Sequence, residues 1–277
     1  MTLTGCIVLY KNNPEILQKA VNSFLDTQLE VKLYLIDNSP SDELQHFVFD
    51  ERIEYFHNPT NPGFGAGHNI AIKEAINCGS RYHLVLNPDV YFSDGVMESL
   101  VKFMDRNKNV GNVMPKVLYP NGETQYLCKL LPTPYDWIGR RFNPFKSLVD
   151  KRNEVFELTF TKYSKIMDVP YLSGCFMFLR IDALKEIGLF DENIFMYGEE
   201  TDLCRRLISA CYRTVFYPCV SVFHHFEKGS HKSLKLTWIG IQSAIYYFNK
   251  WGWFHDKERR SINLKTLKSL SYQKRGI

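Results

Sequence analysis

Residues 82–90, Tyr-His-Leu-Val-Leu-Asn-Pro-Asp-Val, constrain the fold more than any other stretch. Leu84, Val85 and Leu86 form a short apolar run of the kind buried on both faces of a parallel sheet. Pro88 has no N–H to give to a ladder, so the strand stops there. Asp89 is left at its carboxyl end, the edge where open α/β sheets bind their ligands. A carboxylate in that place can hold a divalent cation, and the cation can hold a diphosphate. Asn-Pro-Asp is also ordinary turn chemistry, so the tripeptide alone does not decide.

The pieces before it repeat the pattern. Gly5–Tyr10 reads as a buried strand broken by Asn12, Asn13 and Pro14. Ile16, Leu17, Ala20, Val21, Phe24 and Leu25 then follow at helical spacing, with Pro14 suited to the first turn. Val31–Ile36 is a second strand, closed by Asp37-Asn38-Ser39-Pro40. Strand, helix, strand predicts a parallel pair, which puts Asp37 at the same sheet edge as Asp89. An acid there can accept hydrogen bonds from a ribose or base, although Asp-Asn-Ser-Pro is equally a turn sequence. Ile53–His57 reads as a third strand. The loop after it carries Gly63, Gly65 and Gly67, three glycines in five residues, and leads into a helix. Such a loop lets backbone approach a ligand and presents a helix N-terminus to an anion; a structural loop would also be rich in Pro and Gly.

Further on, Gly95–Phe103 has helical spacing, and Val110–Val117 and Glu123–Leu127 read as strands around a Pro-Asn-Gly turn. Residues 131–162 contain Pro132, Pro134, Pro144 and Arg140-Arg141, and read as a long, partly ordered loop. Tyr171–Arg180 reads as one strand containing Ser173-Gly174, and Asp182–Ile187 as a short helix. Glu199, Glu200 and Asp202 then open a helix, where acids favour the dipole in any protein. Phe195, Met196 and Tyr197 beside them supply apolar surface that can raise a carboxylate pKa towards that of a useful base. Thr214–Phe223 is strand-like and ends in His224-His225, candidate metal ligands in a chain that already offers the Asp89 carboxylate. Gly229, Ser230, His231, Lys232 and Ser233 suit a phosphate.

The composition excludes several classes. The 277 residues are 45% hydrophobic and 23% charged, as in an ordinary globular protein, and no apolar run reaches a membrane span. None of the seven cysteines forms a Cys-x-x-Cys pair, and Met1–Gly5 leads straight into a strand without a signal-peptide pattern, so reduced thiols in a cytoplasm are expected. The net charge of +4 is concentrated in residues 256–277, which carry seven Lys/Arg and two acids. The body is thus near neutral and offers no nucleic-acid face. Aromatics at 234–254 followed by this basic tail suit either a packed helix pair or the surface of an anionic membrane.

The order of these pieces resembles the family 2 inverting glycosyltransferases, and more narrowly their rhamnosyltransferase-like branch. The resemblance rests on Tyr10-Lys11-Asn12, Ile36–Ser39, Asn61–Asn69, Leu86–Asp89, Ser173-Gly174, Gly188–Cys204 and His224–Ser230, and spans about residues 3–250. It implies an α/β fold of GT-A type: a mainly parallel central sheet flanked by helices, with C-terminal helices. A glycosyltransferase domain is expected at 1–233, with a nucleotide-binding half at about 1–119 and an acceptor-binding half at about 120–233, followed by a helical extension at 234–277. It further implies direct displacement at the anomeric carbon of a nucleotide sugar, L-rhamnose from dTDP-rhamnose being the first choice. A UDP-sugar transferase and a non-catalytic nucleotide-sugar-binding protein are the alternatives. By the same resemblance Tyr10, Asp37, Gly63, Gly65, Gly67, Asn69, Asn87 and Asp89 bind the donor. Asp89 and His224 hold Mg²⁺ or Mn²⁺, with His225 the less favoured neighbour. Ser173, Gly174, Tyr197 and Asp202 meet the acceptor, and Glu200 is the base, with Glu199 as its substitute. The expected partners are a dTDP- or UDP-linked sugar and a glycan or polyprenyl-diphosphate-linked acceptor in cell-surface polysaccharide or lipopolysaccharide synthesis, at or near the inner face of the membrane. Two departures stand out: Asn87 where many relatives have aspartate, which predicts weaker metal binding, and Glu200 where aspartate is usual.

Overall fold

The computed structural model describes residues 1–225 and 234–272, so the phosphate-suited segment at 229–233 and Lys274 and Arg275 of the tail lie outside the described residues. In chain order the elements are β1 (Leu3–Leu9), α1 (Pro14–Leu25), β2 (Val31–Asp37), β3 (Ile53–His57), α2 (Phe64–Asn77), β4 (Tyr82–Leu86), β5 (Val90–Tyr91) and α3 (Val96–Arg106). There follow β6 (Val110–Leu118), β7 (Cys128–Lys129), α4 (Pro134–Trp137), α5 (Lys146–Phe156), β8 (Met167–Asp168), β9 (Tyr171–Leu172) and β10 (Phe176–Arg180). The chain continues with α6 (Ile181–Ile187), α7 (Glu199–Ser209), β11 (Arg213–His224), α8 (Leu234–Trp251) and α9 (Lys257–Ser269).

One nine-stranded sheet runs in the order β3-β2-β1-β4-β10-β6-β11-β5, with β8 also paired to β11. Strands β3, β2, β1 and β4 are parallel. Their buried apolar runs have helices on both faces, as such strands require. The carboxyl ends of β1, β2 and β4 therefore share one edge, as expected for Asp37 and Asp89. Strand β10 runs antiparallel between β4 and β6. Helix α1 starts as the sequence suggests: the Asn13 side chain accepts from the Glu15 and Ile16 N–H groups, and Pro14 occupies the first turn.

Four expectations change. Residues 131–162 are largely helical rather than a loop, because Thr133 caps α4 reciprocally with Asp136 and Pro134 takes a first-turn position. Glu123–Leu127 is not a strand; a tight turn at Tyr119–Glu123 leaves one isolated bridge, Leu118 to Thr124, and pairing resumes only at β7. Tyr171–Arg180 splits at Ser173–Cys175 into β9, which pairs with β7 in a separate sheet, and β10 in the main one. Gly65, Gly67 and Asn69 lie inside α2 rather than in the loop before it.

The C-terminal helices are fastened to the body. Trp137 packs on Tyr247 and Phe248, with centroids at 5.2 and 5.8 Å. The Asn263 amide bonds both backbone groups of Leu131 at 2.9 Å. Arg205 is almost wholly buried and donates to both Asp256 oxygens at 2.6 and 2.7 Å. Asp256 also caps α9 by accepting from the Arg259 N–H. Removing Asp256 leaves the buried guanidinium only the exposed Glu258, to which it also donates at 3.0 Å. Asp256→Ala should therefore cost about 3–5 kcal/mol in urea unfolding, whereas replacing both Arg205 and Asp256 with leucine should cost clearly less. Equal losses would show that the carboxylate does not neutralise Arg205.

Candidate active site

Antiparallel pairing of β5 with the end of β11 sets His224 opposite Val90. This brings the His224 Nε2 within 3.3 Å of an Asp89 oxygen. The backbone N–H of His225 donates to the Asp89 carbonyl at 2.9 Å while its side chain stays exposed. Of the two histidines, His224 is the one that faces Asp89. Its other nitrogen meets Gln125, a residue that sequence reasoning missed. The Gln125 Nε2 donates to the His224 carbonyl at 2.8 Å, so its Oε1 faces Nδ1 at 3.0 Å and must accept from it. That fixes the tautomer with Nε2 aimed at Asp89, the arrangement of a metal-ligating histidine. Burial disfavours the charged imidazole, but Cys175 and Asp89 beside it outweigh this and raise His224 to about 10. The pair can thus hold a proton or a divalent cation between them. No group of three or more His, Cys, Asp or Glu side chains able to hold a metal occurs among the described residues. The pair offers a divalent cation two protein ligands, and a bound ion would keep water and phosphate oxygens in its other positions.

The other strand ends close around the base of a cleft. The Lys11 N–H donates to the Ser39 hydroxyl and the Asn38 N–H to the Leu9 carbonyl, lacing the two loops together. A 570 Å³ cleft lies beside them, lined by Lys11, Asn12, Ser39, Glu43 and His46 among others. Asp37 does not line it. Its carboxylate is fully buried and accepts from the Ser39 N–H at 2.8 Å and the Tyr55 hydroxyl at 2.7 Å, so it holds the turn in shape. Tyr10 is half exposed. The Asn87 N–H donates to the Cys175 carbonyl, joining the end of β4 to the start of β10.

The glycine-rich stretch serves protein contacts more than open ligand space. Gly63 has φ +106°, and a Cβ there would collide with the Phe195 carbonyl. The space beside Gly65 is filled by Phe190, and that beside Gly67 by Val8. Asn69 donates to the Phe190 carbonyl and Glu192, and accepts from the Phe190 N–H. The stretch expected to line the donor site thus clamps the 190–199 segment against α2.

That segment delivers the acids. Tyr197 and Gly198 both have positive φ, 71° and 119°, and a Cβ on Gly198 would lie 2.6 Å from the Trp137 ring. This turn aims Glu200 into a 220 Å³ cavity also lined by Tyr171, Tyr197, Trp137 and Lys129. One Glu200 oxygen accepts from the Gly198 N–H at 2.9 Å and the other from the Tyr171 hydroxyl at 3.1 Å. Gly174 leaves room for Glu200, whose Cβ would be 3.5 Å from any Cβ placed there. The Ser173–Cys175 turn therefore touches Glu200 on one side and the Asn87–Asp89 strand end on the other.

Glu199 is turned away, buried beside α2 with one oxygen unpartnered. Burial first, and the Glu200 charge second, push its carboxyl well above the usual range. Asp202, expected near the acceptor, is fully buried instead and accepts from Trp251, Lys250 and Arg206, each at 2.8 Å. Its role is to dock α8.

Among solved structures, Staphylococcus aureus TarS in complex with UDP superposes with a TM-score of 0.58 at 14% identity, over 99% of this chain and 73% of that one. GalNAc-T7 with UDP, GalNAc and Mn²⁺ gives 0.60 at 16% identity, over 80% of this chain but only 43% of the longer one. The fold is that of the GT-A glycosyltransferases. A model of glycosyl transferase family 2 matches residues 6–188, and the chain belongs to that family and is a glycosyltransferase. The N-acetylglucosaminyl-diphospho-decaprenol L-rhamnosyltransferase of Mycobacterium tuberculosis is 26% identical over 235 residues, 79% of this chain and 74% of that protein. The rhamnosyltransferase WbbL of Escherichia coli K12 is 24% identical over 197 residues, 67% of this chain and 69% of that protein.

The state of Glu199 is open to a direct check. Its native pKa lies above that of the unfolded chain, so as pH rises the unfolded state loses this proton first. The contribution is complete below about pH 4 and is lost as pH climbs. Glu199→Gln should remove that loss and gain on wild type between pH 5 and 8, by up to about 1.4 kcal/mol per pH unit inside the window. Urea midpoints at the two pH values measure it; a constant difference would mean that Glu199 is ionised in the native protein.

Proposed function

We propose that this glycosyltransferase moves a hexose, L-rhamnose from dTDP-rhamnose as first choice, with inversion, onto a hydroxyl of a glycan or polyprenyl-diphosphate-linked glycan in cell-surface polysaccharide synthesis. The observation that carries this is Glu200: an acid held by two hydrogen bonds at the wall of a cavity, one turn of chain away from the Asp89–His224 pair. The acceptor hydroxyl enters that cavity and attacks the anomeric carbon as Glu200 takes its proton. The bond from that carbon to the diphosphate oxygen breaks on the opposite face, and its electron pair leaves with the nucleoside diphosphate. Asp89 and His224 would hold Mg²⁺ or Mn²⁺, which supplies Lewis-acid neutralisation of the leaving diphosphate. The Lys11–Asn12 and Ser39 cleft takes the nucleoside in this reading, with Asp37 shaping it. The division into donor half (about 1–119), acceptor half (about 120–233) and helical extension follows the same placement.

The names of the two rhamnosyltransferase relatives support rhamnose; UDP in structures of the same fold supports a UDP-sugar as the alternative. Among the described residues no helix is long and apolar enough to cross a membrane. Exposed Leu234, Trp238 and Phe254, with exposed Lys257, Arg260, Lys265 and Lys268, support a peripheral contact at the inner membrane face.

A thermal-shift panel of nucleotide sugars with and without Mn²⁺ tests the donor. Ligand at 100 times its Kd adds about 2.7 kcal/mol, or roughly 5–11 °C for a chain of this size. We expect dTDP-rhamnose with Mn²⁺ to give that rise in wild type and Glu200→Gln alike, while Glu200→Gln loses about 10²–10⁴-fold in turnover. A rise with a UDP-sugar alone would select the alternative, and near-normal turnover would remove Glu200 as the base. Gln125→Leu should weaken Mn²⁺ binding by about 10–100-fold, read by calorimetry without donor; unchanged affinity would show that His224 needs no orienting partner.

A further inference from the structure

The cavity that Glu200 faces contains a second charged group for which proton removal has no use. Lys129 enters it from β7, where the pairing with β9 sets it opposite Tyr171. Its ammonium lies 5.6 Å from the centroid of the Tyr171 ring, the same residue whose hydroxyl holds Glu200. The other charges at this wall are matched. Arg140 donates to Asn153 at 2.8 Å and Glu157 at 3.2 Å, and Asp136 takes both arms of Arg152 at 2.6 and 2.7 Å. Lys129 differs: Glu157 and Glu200 act on it from a distance, but no carboxylate among the described residues pairs with it. Burial pulls its ammonium below the usual lysine range. A partly buried cation without a counter-ion weakens the fold, so its presence here calls for a ligand that brings the charge. Trp137, Ile138, Phe156 and Ile241 make the rest of the wall largely apolar. The cavity thus offers one proton acceptor, one compact positive charge and an apolar face.

We propose that Lys129 binds a phosphate group of the acceptor, and so selects acceptors whose sugar is carried on a phosphate or diphosphate over neutral glycan ends. This rests on the reading of the Glu200 cavity as the acceptor site. Lysine suits the task as a point charge that accepts phosphate from several directions. With the hydroxyl at Glu200 and the phosphate at Lys129, the acceptor is gripped at two points and the apolar wall is left for a lipid chain.

The test is calorimetric titration, in EDTA, with three probes: geranyl diphosphate, inorganic diphosphate and geraniol. Wild type should bind geranyl diphosphate and not geraniol. Lys129→Met should weaken that binding at least tenfold and Lys129→Arg should restore most of it, with the dTDP-rhamnose thermal shift in Mn²⁺ unchanged in both. In turnover, Lys129→Met should raise the KM for a diphosphate-linked acceptor with little change in kcat, as expected for lost ground-state binding. If inorganic diphosphate binds as tightly as geranyl diphosphate and with the same Lys129 dependence, the phosphate alone is read; if it binds more weakly, the lipid chain is read as well. Geranyl diphosphate binding that is absent in wild type, or equal in wild type and Lys129→Met, would overturn the proposal. Neither result would touch the assignment of Glu200, which stands or falls on the turnover of Glu200→Gln.

Discussion

The placement of the Glu200 carboxylate depends on how α7 is anchored. Three successive face positions, Asp202, Arg205 and Arg206, each tie the helix to a different part of the chain. Asp202 accepts from Lys250 and Trp251 of α8, and Arg205 grips the Asp256 cap of α9. Arg206 donates to the carbonyls of Ile187, Gly188 and Leu189 after α6. Trp251 lies under the Arg205 guanidinium at 4.2 Å while giving its N–H to Asp202, so two networks share one ring. Such buried pairs are costly to form and more costly to break halfway. What they provide here is position: a helix fixed at its side can hold a strained turn at its start. The left-handed Tyr197 and Gly198 sit at that start, and Trp137 closes over them from α4.

The C-terminal helices therefore belong to the site although they carry none of its acids. Helix α8 lines the cavity through Gly240 and Ile241, and its far end holds Asp202. Helix α4 lines it through Trp137 and packs on Tyr247 and Phe248. Helix α8 lies beyond the span that the family model matches, and α4 lies within it. The Glu200 cavity is thus assembled from chain that differs in character from the Lys11–Ser39 cleft, where strand ends and short turns supply most of the lining.

This contrast explains which features were legible in the sequence. The parallel strands could be read because burial on both faces leaves an unbroken apolar run, and their order put Asp37 and Asp89 on one edge before any coordinates. The strand Tyr171–Arg180 was misread because Gly174, which weakens a strand interior, was read as part of one continuous strand. In 131–162 the prolines were taken as breakers, yet Thr133-Pro134-Tyr135-Asp136 carries a capping-box signature followed by a first-turn proline, so the signal for α4 was present. Gln125 left no such signal. It meets His224 across 99 residues of sequence, and only the fold brings the amide to the imidazole. Asp202 was misplaced for a related reason: first-turn acids look alike in sequence, and the partner that separates them, Lys250, lies on a distant helix.

The two glutamates at 199 and 200 show how one turn of helix can give neighbouring identical side chains different chemistry. Successive positions on a helix point about 100° apart. Here one direction leads to the interior beside Gly65 and the other to the cavity beside Gly174. Glu199 has no donor for its second oxygen and loses its solvation, so the neutral acid is favoured. Glu200 instead has a donor for each oxygen, the Gly198 N–H and the Tyr171 hydroxyl. The extra methylene of glutamate over the usual aspartate then fits its surroundings. A longer side chain reaches back to cap its own Gly198 N–H and still touches Tyr171 across the cavity, so the departure from the family pattern is matched by partners that hold the longer arm in place.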